Sequence, residues 1–365
     1  MRVLIICPYS LSLPGGVQGQ VLGLARELRE VGIGARVLGP CDGPPPEPGV
    51  ISVGPTRGYA MNGSVAPIAS GKVVASRTLE ALRAYEPDVI HIHEPFVPGA
   101  GHAALLAGVA PIVATFHAAA FEMPWYQRGR GVLNRWLARC TIRTAVSEEA
   151  RKLLVESFGP GEYRIMPNGV EVRRFAEAVP TASARRSILF VGRHEERKGL
   201  DTLLDAFAAL DRDVDLWVVG DGPETAALRA RAVPDVIWLG RIPDAELASR
   251  LAGATVFAAP ARYGESFGVV LLEAMAARTP VVATAIAGYR AVARSDQEGV
   301  LVPPDDPVAL TRALRRVLDD EPLRTRLVTA GVRRADEFSM TTLARAYAGL
   351  YDEARAIAAK ETAAP

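Results

Sequence analysis

Cysteine is scarce: Cys7, Cys41 and Cys140 are the only three in 365 residues, widely spaced and without a Cys-x-x-Cys pair. That excludes a disulfide scaffold and a zinc site of the usual spacing, and predicts reduced thiols in a cytosolic protein. A dominant charge is also missing. Lys and Arg number 42 against 41 Asp and Glu, a formal charge of +1, which is not the basic excess of a nucleic-acid binder. No apolar run approaches the ~18 residues a bilayer span needs, and the opening Met1–Pro8 reads as a short strand ending in a turn, too short for a signal-peptide core. Any membrane contact is therefore expected to be peripheral, and the location cytoplasmic. The interrupted G-x-G-x-x-G order is absent as well: Pro14-Gly15-Gly16-Val17-Gln18-Gly19 follows the first strand. An NAD-dependent oxidoreductase is disfavoured on that spacing, despite Asp42 near the end of the second strand.

What is present reads as a two-domain α/β chain. A hydrophobic fraction of 49% with 23% charged residues is ordinary for a globular protein, and 365 residues is long for one core. Arg2–Cys7 reads as a strand, Pro14-Gly15-Gly16 as a Gly-rich loop, and residues 17–31 as a helix with Val17, Val21, Leu24, Ala25 and Leu28 on one face. Apolar runs at 35–38, 89–93, 112–116 and 141–146 alternate with helical patterns around 70–86, 98–108, 125–139 and 147–157, which predicts a parallel sheet covered on both faces. Residues 171–186 lose the periodicity and read as a linker. A second series has strands at 187–191, 216–219, 236–239, 256–259 and 281–284, with helices beginning near Lys198, Glu224, Asp244, Phe267 and Ala287. Beyond Asp306 the chain reads as helical, with stops near Pro322 and Ser339 and a last amphipathic stretch over 341–358. Domains are expected over 1–170 and 187–340, each doubly wound and Rossmann-like, with ligands at the carboxyl ends of the strands.

The most informative stretch runs from Tyr263 to Ala276, a Gly-punctuated turn feeding an apolar helix, with Glu265 and Glu273 separated by seven residues. If that helix begins near Phe267, the N–H groups of Phe267, Gly268 and Val269 face outward with the positive end of its dipole, a site for phosphate. Gly268 would let a ligand approach the backbone, and the two carboxylates would accept from vicinal hydroxyls on either side of the anion. A diphosphate between two sugars fits. Arg193 and Lys198 lie at a strand end and a helix start, where a diphosphate needs cations; the competing reading is a solvated charge cluster. His117 ends another strand run. His91 and His93 alternate on a strand before Glu94-Pro95, but no further cluster completes a metal site, and they read as structural.

Glu265 and Glu273, with Ser266-Phe267-Gly268 directly after the first acid, resemble the Glu-x7-Glu motif of retaining GT-B glycosyltransferases that use nucleotide sugars. Pro8-Tyr9-Ser10, Pro14-Gly15-Gly16-Val17-Gln18, His91-Ile92-His93-Glu94-Pro95, Ala114-Thr115-Phe116-His117 and Pro167-Asn168-Gly169-Val170 are similar to further signatures of that family, in order. The resemblance spans nearly the whole chain and is nearest to the bacterial phosphatidylinositol mannosyltransferases. It implies two doubly wound domains facing across a cleft, with the C-terminal helix returning to the first. It implies transfer of a hexose, mannose from GDP-mannose, to a polyol or lipid-linked acceptor such as phosphatidylinositol, with no metal or other cofactor. Arg193 and Lys198 would hold the pyrophosphate, Glu265 the sugar hydroxyls and Glu273 the ribose. Gly16, Phe267, Gly268 and Val269 would line the donor, His117 would bond its sugar, and Tyr9, Gln18 and Asn62 would border the acceptor. The diphosphate would leave as the acceptor hydroxyl enters from the same face and passes its proton to a donor phosphate oxygen. Arg193, Lys198 and the helix would stabilise the growing charge.

The chain departs from that pattern in places. Met61 precedes Asn62-Gly63-Ser64 where the relatives have Tyr, the following helix carries only Lys72, Arg77 and Arg83, and the family's interval between the two cations is often one residue longer. Trp125, Tyr126 and Trp136 with Arg128, Arg130, Arg135, Arg139 and Arg143 against the single acid Glu122 suit a headgroup surface or, equally, a solvated basic helix with core tryptophans. Reversible, salt-sensitive docking on the anionic inner face of the plasma membrane is the expectation. A UDP-sugar donor with a soluble acceptor, a sugar-nucleotide epimerase or hydrolase, and a binding protein on the same fold stay open as alternatives.

Overall fold

A computed structural model of the chain describes residues 1–61, 64–118, 129–211 and 213–363. It divides into two compact units, Met1–Gly169 with Met340–Pro365, and Val170–Ser339. In the first, β1 (Arg2–Ile6), α1 (Gly16–Glu30), β2 (Gly34–Gly39) and β3 (Val50–Ser52) are followed by a hairpin, β4 (Arg57–Met61) and β5 (Ser64–Ile68). Then come α2 (Lys72–Tyr85), β6 (Val89–His93), α3 (Ala100–Ala107), β7 (Ile112–Phe116), α4 (Arg130–Leu137), β8 (Ile142–Ala145), α5 (Glu148–Phe158) and β9 (Arg164–Ile165). Seven strands form one sheet in the order β3-β2-β1-β6-β7-β8-β9, every pairing parallel.

Side chains alternate across this sheet as the two-residue period of a strand requires. Leu4, Ile6, Ile90 and Ile92 pack with Val74 and Leu82 of α2, Leu105 of α3 and Leu154 of α5. Val3, Ile5, Val89 and Val113 face the other way, onto Val21, Leu24 and Leu28 of α1 and a helix from the far end of the chain. Burying each of these side chains is worth ~1.5–3 kcal/mol, which is why both faces of the sheet carry apolar side chains.

The second unit opens with α6 (Val172–Ala176) and continues β10 (Arg186–Val191), α7 (Leu200–Ala208), β11 (Val214–Val219), α8 (Thr225–Ala230), β12 (Val236–Gly240), α9 (Asp244–Gly253), β13 (Val256–Ala259), α10 (Val269–Ala276), β14 (Val281–Thr284), α11 (Ala287–Val292), β15 (Gly299–Val302), α12 (Pro307–Asp319) and α13 (Glu321–Glu337). Its six strands run β12-β11-β10-β13-β14-β15, all parallel. Order reverses between β1 and β6 in one unit and between β10 and β13 in the other, and ligands of doubly wound sheets sit at the carboxyl ends of such strands. The last helix, α14 (Met340–Ala363), returns to the first unit, where Leu343, Ala344, Tyr347 and Tyr351 pack beside α1.

Several boundaries differ from the sequence expectation. Residues 171–186 are not a free linker: Phe175 of α6 is buried in the second core, Val172 and Ala178 pack on it, and the N–H of Thr181 donates to the Ser249 carbonyl. The helix placed near Phe267 starts at Val269, because Gly268 holds φ 83, outside the helical region. The break expected near Pro322 is a single residue, Asp320, whose carboxylate accepts from the N–H of Leu323 at 2.8 Å and so caps α13.

Candidate active site

In the second unit β10 delivers Gly192–Lys198 to the switch point, and the loop after β13 delivers Glu265 to the same place. Lys198 ends a single 3₁₀ turn, Glu196–Lys198, and Gly199 follows in the left-handed region at φ 64. A Cβ there would lie 2.2 Å from the Pro260 carbonyl, so only glycine lets this turn close on the end of β13. The result is a shared carboxylate. Oε1 of Glu265 pairs with Lys198 Nζ at 2.5 Å and with Arg197 Nη1 at 3.1 Å. Arg197 also donates through Nε to Glu195 at 3.0 Å, and Arg193 Nε pairs with the other oxygen of Glu195 at 2.8 Å. Three cations and two carboxylates are thus interleaved, leaving one net positive charge for an incoming anion.

Glu273 lies in the second turn of α10, half-buried, and no described residue hydrogen-bonds its carboxylate. Burial pushes its carboxyl up to about 7; Arg174 pulls it down, and Asp244 and Glu171 push it up again. Arg174 is itself held by Asp244 at 3.1 Å. An acceptor held this way suits a pair of neutral hydroxyls that donate to it.

Phe267 and Gly268 have structural reasons that the sequence did not disclose. The Phe267 ring is buried edge-on against Phe338, 5.4 Å between centroids, so only its backbone is left for a ligand. A Cβ on Gly268 would lie 2.6 Å from Cδ1 of Tyr289, which explains the glycine by packing and by its φ rather than by ligand approach. The first-turn N–H groups of α10 begin at Val269, two residues later than expected.

In the first unit the carboxyl ends of β1, β6 and β7 bring together Tyr9, Glu94 and His117. His117 is buried, and its Nε2 lies 2.7 Å from Nδ1 of His93, while Asn168 also hydrogen-bonds the ring. Burial lowers His117 to about 4, and it is neutral at pH 7. His91 is tied to the Tyr351 hydroxyl at 2.8 Å and to Thr115 at 2.7 Å, and burial lowers it to about 3. Among the described residues no group of three His, Cys, Asp or Glu side chains is gathered as a metal ion would need. Gly16 begins α1, and a Cβ there would meet nothing within 4 Å, so packing gives no reason for that glycine. Gln18 is buried and donates to the Ser10 carbonyl at 3.3 Å.

A glycosyltransferase family 4 model matches residues 14–174, and a glycosyl transferases group 1 model matches residues 185–320. The phosphatidyl-myo-inositol mannosyltransferase of Mycobacterium leprae is 40% identical over 96% of this chain and 96% of its own, and that of Mycolicibacterium smegmatis is 37% identical over 96% and 94%. The chain belongs to the glycosyltransferase family of these phosphatidyl-myo-inositol mannosyltransferases. A solved glycosyltransferase from Rickettsia africae superposes with a TM-score of 0.76 at 19% identity, covering 97% of this chain and 98% of that one, which shows the GT-B fold. This glycosyltransferase is a nucleotide-sugar-dependent enzyme.

Of the residues picked from the sequence of this glycosyltransferase, the structure brings Arg193, Lys198 and Glu265 into one network and leaves Glu273 open. It sets His117 beside Glu94. Tyr9 is half-buried at the end of β1, bridged to Ile68 of β5. Asn62 lies outside the described residues, as do Glu122, Trp125, Tyr126 and Arg128. Trp136 packs on the core and on His102, 4.6 Å between ring centroids, rather than standing out as a headgroup contact. Sequence reasoning missed Arg197 and Glu195, which lay within a charge run that reads as solvated. Their signal was the left-handed Gly199 just after them, which turns the run inward.

Proposed function

We propose that this glycosyltransferase moves mannose from GDP-mannose to the inositol ring of phosphatidylinositol, retaining the anomeric configuration and using no metal ion. One observation carries the reading: Lys198 and Arg197 converge on Glu265 at the switch point between β10 and β13, with Glu273 open on the helix that follows, in a chain 40% identical along nearly its full length to a phosphatidyl-myo-inositol mannosyltransferase. Before the donor arrives, Glu265 neutralises Lys198. The diphosphate then competes for Lys198, Arg193 and Arg197, and frees Glu265 to accept from the sugar hydroxyls while Glu273 accepts from the ribose. As the sugar–oxygen bond breaks, those cations offset the charge gathering on the leaving diphosphate, which is electrostatic stabilisation by groups already in place. His117 is neutral and hydrogen-bonded, so it does not serve as the base; the acceptor proton passes to a donor phosphate oxygen. Calorimetry with GDP, UDP and ADP tests the donor half. GDP should bind tightest, and a clear preference for UDP or ADP would overturn the assignment of GDP-mannose.

The acceptor half places the first unit at the inner face of an anionic membrane in the cytoplasm. Support comes from α3 and α4: Arg139 donates to the Leu105 and Leu106 carbonyls at 3.1 and 3.3 Å, so the end of α4 abuts that of α3. Leu106, Val109 and Val132 are exposed on or beside these helices, as are Arg130, Arg135 and Arg139, a mixture suited to anionic headgroups at about 1 kcal/mol per nearby cation. No helix of the described residues is long and apolar enough to cross a membrane. Co-sedimentation with phosphatidylinositol vesicles at low and high salt tests it: binding lost at high salt is expected, and no binding at low salt would favour a soluble acceptor.

A further inference from the structure

The peptide after β7 is held by a single buried carboxylate. Oε1 of Glu94 accepts the backbone N–H of His117 at 2.6 Å and that of Ala118 at 2.9 Å. Glu94 follows β6 directly, just before Pro95, where extended backbone is the rule, yet it sits at φ 48, in the left-handed region that disfavours a side chain with a Cβ. A strained backbone and a buried acid persist together where the surroundings gain from them. Here the gain is two charge-assisted hydrogen bonds to consecutive peptides. Because a trans peptide is planar, fixing the Ala118 N–H on Glu94 turns the His117 carbonyl the opposite way. The His117 ring is fixed separately, by His93 stacked at 5.0 Å between centroids and bonded at 2.7 Å, and by Asn168.

The geometry points to Glu94 as a positioning residue for the transfer reaction: it holds the His117–Ala118 peptide, and through it His117, in the orientation from which His117 meets the donor sugar. This rests on the reading of His117 as a donor-sugar residue. The titratable groups nearest Glu94 among the described residues are the Tyr9 hydroxyl after β1, whose ionisation Glu94 opposes, its chain neighbour His93, and His117, whose backbone it holds. Burial drives the Tyr9 hydroxyl well above its usual range and both imidazoles below theirs, so all three are neutral at pH 7. Glu94 is the member of the group that titrates near neutrality: burial lifts it to about 7 against the pull of the two N–H donors. Above that pH a carboxylate grips the two peptides; below it a neutral acid grips them less strongly.

The test is kcat against pH, from about 5.5 to 8.5, with donor and acceptor saturating, for wild type, Glu94→Gln and Glu94→Ala, alongside GDP affinity for each. Saturation removes the ionisation of Glu273, which acts through donor binding. Wild-type kcat should fall on the acid side with an apparent pKa of about 7. Glu94→Gln retains an acceptor in the same place without the charge; its kcat should be on the order of tenfold lower at high pH and flat across the range. Glu94→Ala should lose on the order of 10²-fold through misplacement of His117. Both should bind GDP as the wild type does, since the donor's cations and Glu273 belong to the other unit. A Glu94→Gln enzyme that keeps the wild-type acid limb, or wild-type kcat in both variants, overturns the proposal. If the wild type turns over a different nucleotide sugar, the donor assignment fails by itself, and the same profiles taken with that sugar still decide the role of Glu94.

Discussion

Donor binding should release a proton, and Glu273 should be its source. In the free enzyme burial holds this carboxyl at about 7, with Arg174 pulling it down. Two ribose hydroxyls donating to the carboxylate favour its charged form and return it toward the ordinary carboxylate range of ~4.3. At pH 6 the free carboxyl is then ~90% protonated and the bound one a few per cent, so GDP binding releases ~0.9 proton from this group, falling to ~0.1 at pH 8. Affinity should rise by close to tenfold per pH unit below 7 and level off above it. Calorimetry of GDP binding in buffers of different ionisation enthalpy reads the proton count directly. The diphosphate itself also titrates near pH 6, so the decisive quantity is the difference between wild type and Glu273→Gln. That variant should lose the ~0.9 proton at pH 6 and bind GDP more weakly by about 1.5–3 kcal/mol at pH 8. Equal proton release by both proteins would refute the ribose assignment of Glu273.

Other perturbations separate the remaining parts. Lys198→Ala and Arg193→Ala should each lower kcat by on the order of 10²-fold, measured by GDP release, because each removes a cation opposite charge that appears on departure; near-normal rates in both would sink the leaving-group argument. Glu265→Ala should depress kcat more than GDP affinity, whereas the reverse ordering would assign Glu265 to nucleotide binding. Gly268→Ala should cost about 1–3 kcal/mol in thermal or denaturant unfolding, since a Cβ meets Tyr289 at 2.6 Å and the backbone holds φ 83; wild-type stability would show that the Tyr289 ring gives way. Chelation by EDTA should leave turnover intact, and a reproducible collapse would contradict transfer by cations alone.

Long apolar runs made the sheets legible. Strands such as Val256–Ala259 and Val281–Thr284 are buried on both faces and read as continuous apolar runs, and the helices between them carry one apolar face. What escaped the sequence was short or held from afar. The edge strands β3 and β9 have three and two residues, too few to show a period, and are defined by pairing with a neighbour. Helix α6 is five residues long and exists because Phe175 finds a core built by residues a hundred positions on. At the site, Arg193 and Lys198, and Glu265 and Glu273, stand out as candidates because each pair is close in sequence. The partnership of Arg197 and Glu195 was not, since it depends on Glu265 and on a left-handed turn at Gly199. Gly268 misled for the same reason: the ring that excludes its Cβ is Tyr289, on another helix. His91 likewise finds its partner in Tyr351, 260 residues away, so a His-x-His pair on a strand gave no hint of what holds it.

The most direct test of the proposed reaction follows the sugar itself. The enzyme is incubated with GDP-mannose, with and without phosphatidylinositol vesicles, while GDP release is monitored and the anomeric proton of the product is read by nuclear magnetic resonance. GDP release that depends on the lipid, with the α configuration of the donor kept in a mannosylated lipid, is the predicted result. GDP release unchanged by the lipid, or a β-linked product, would contradict it.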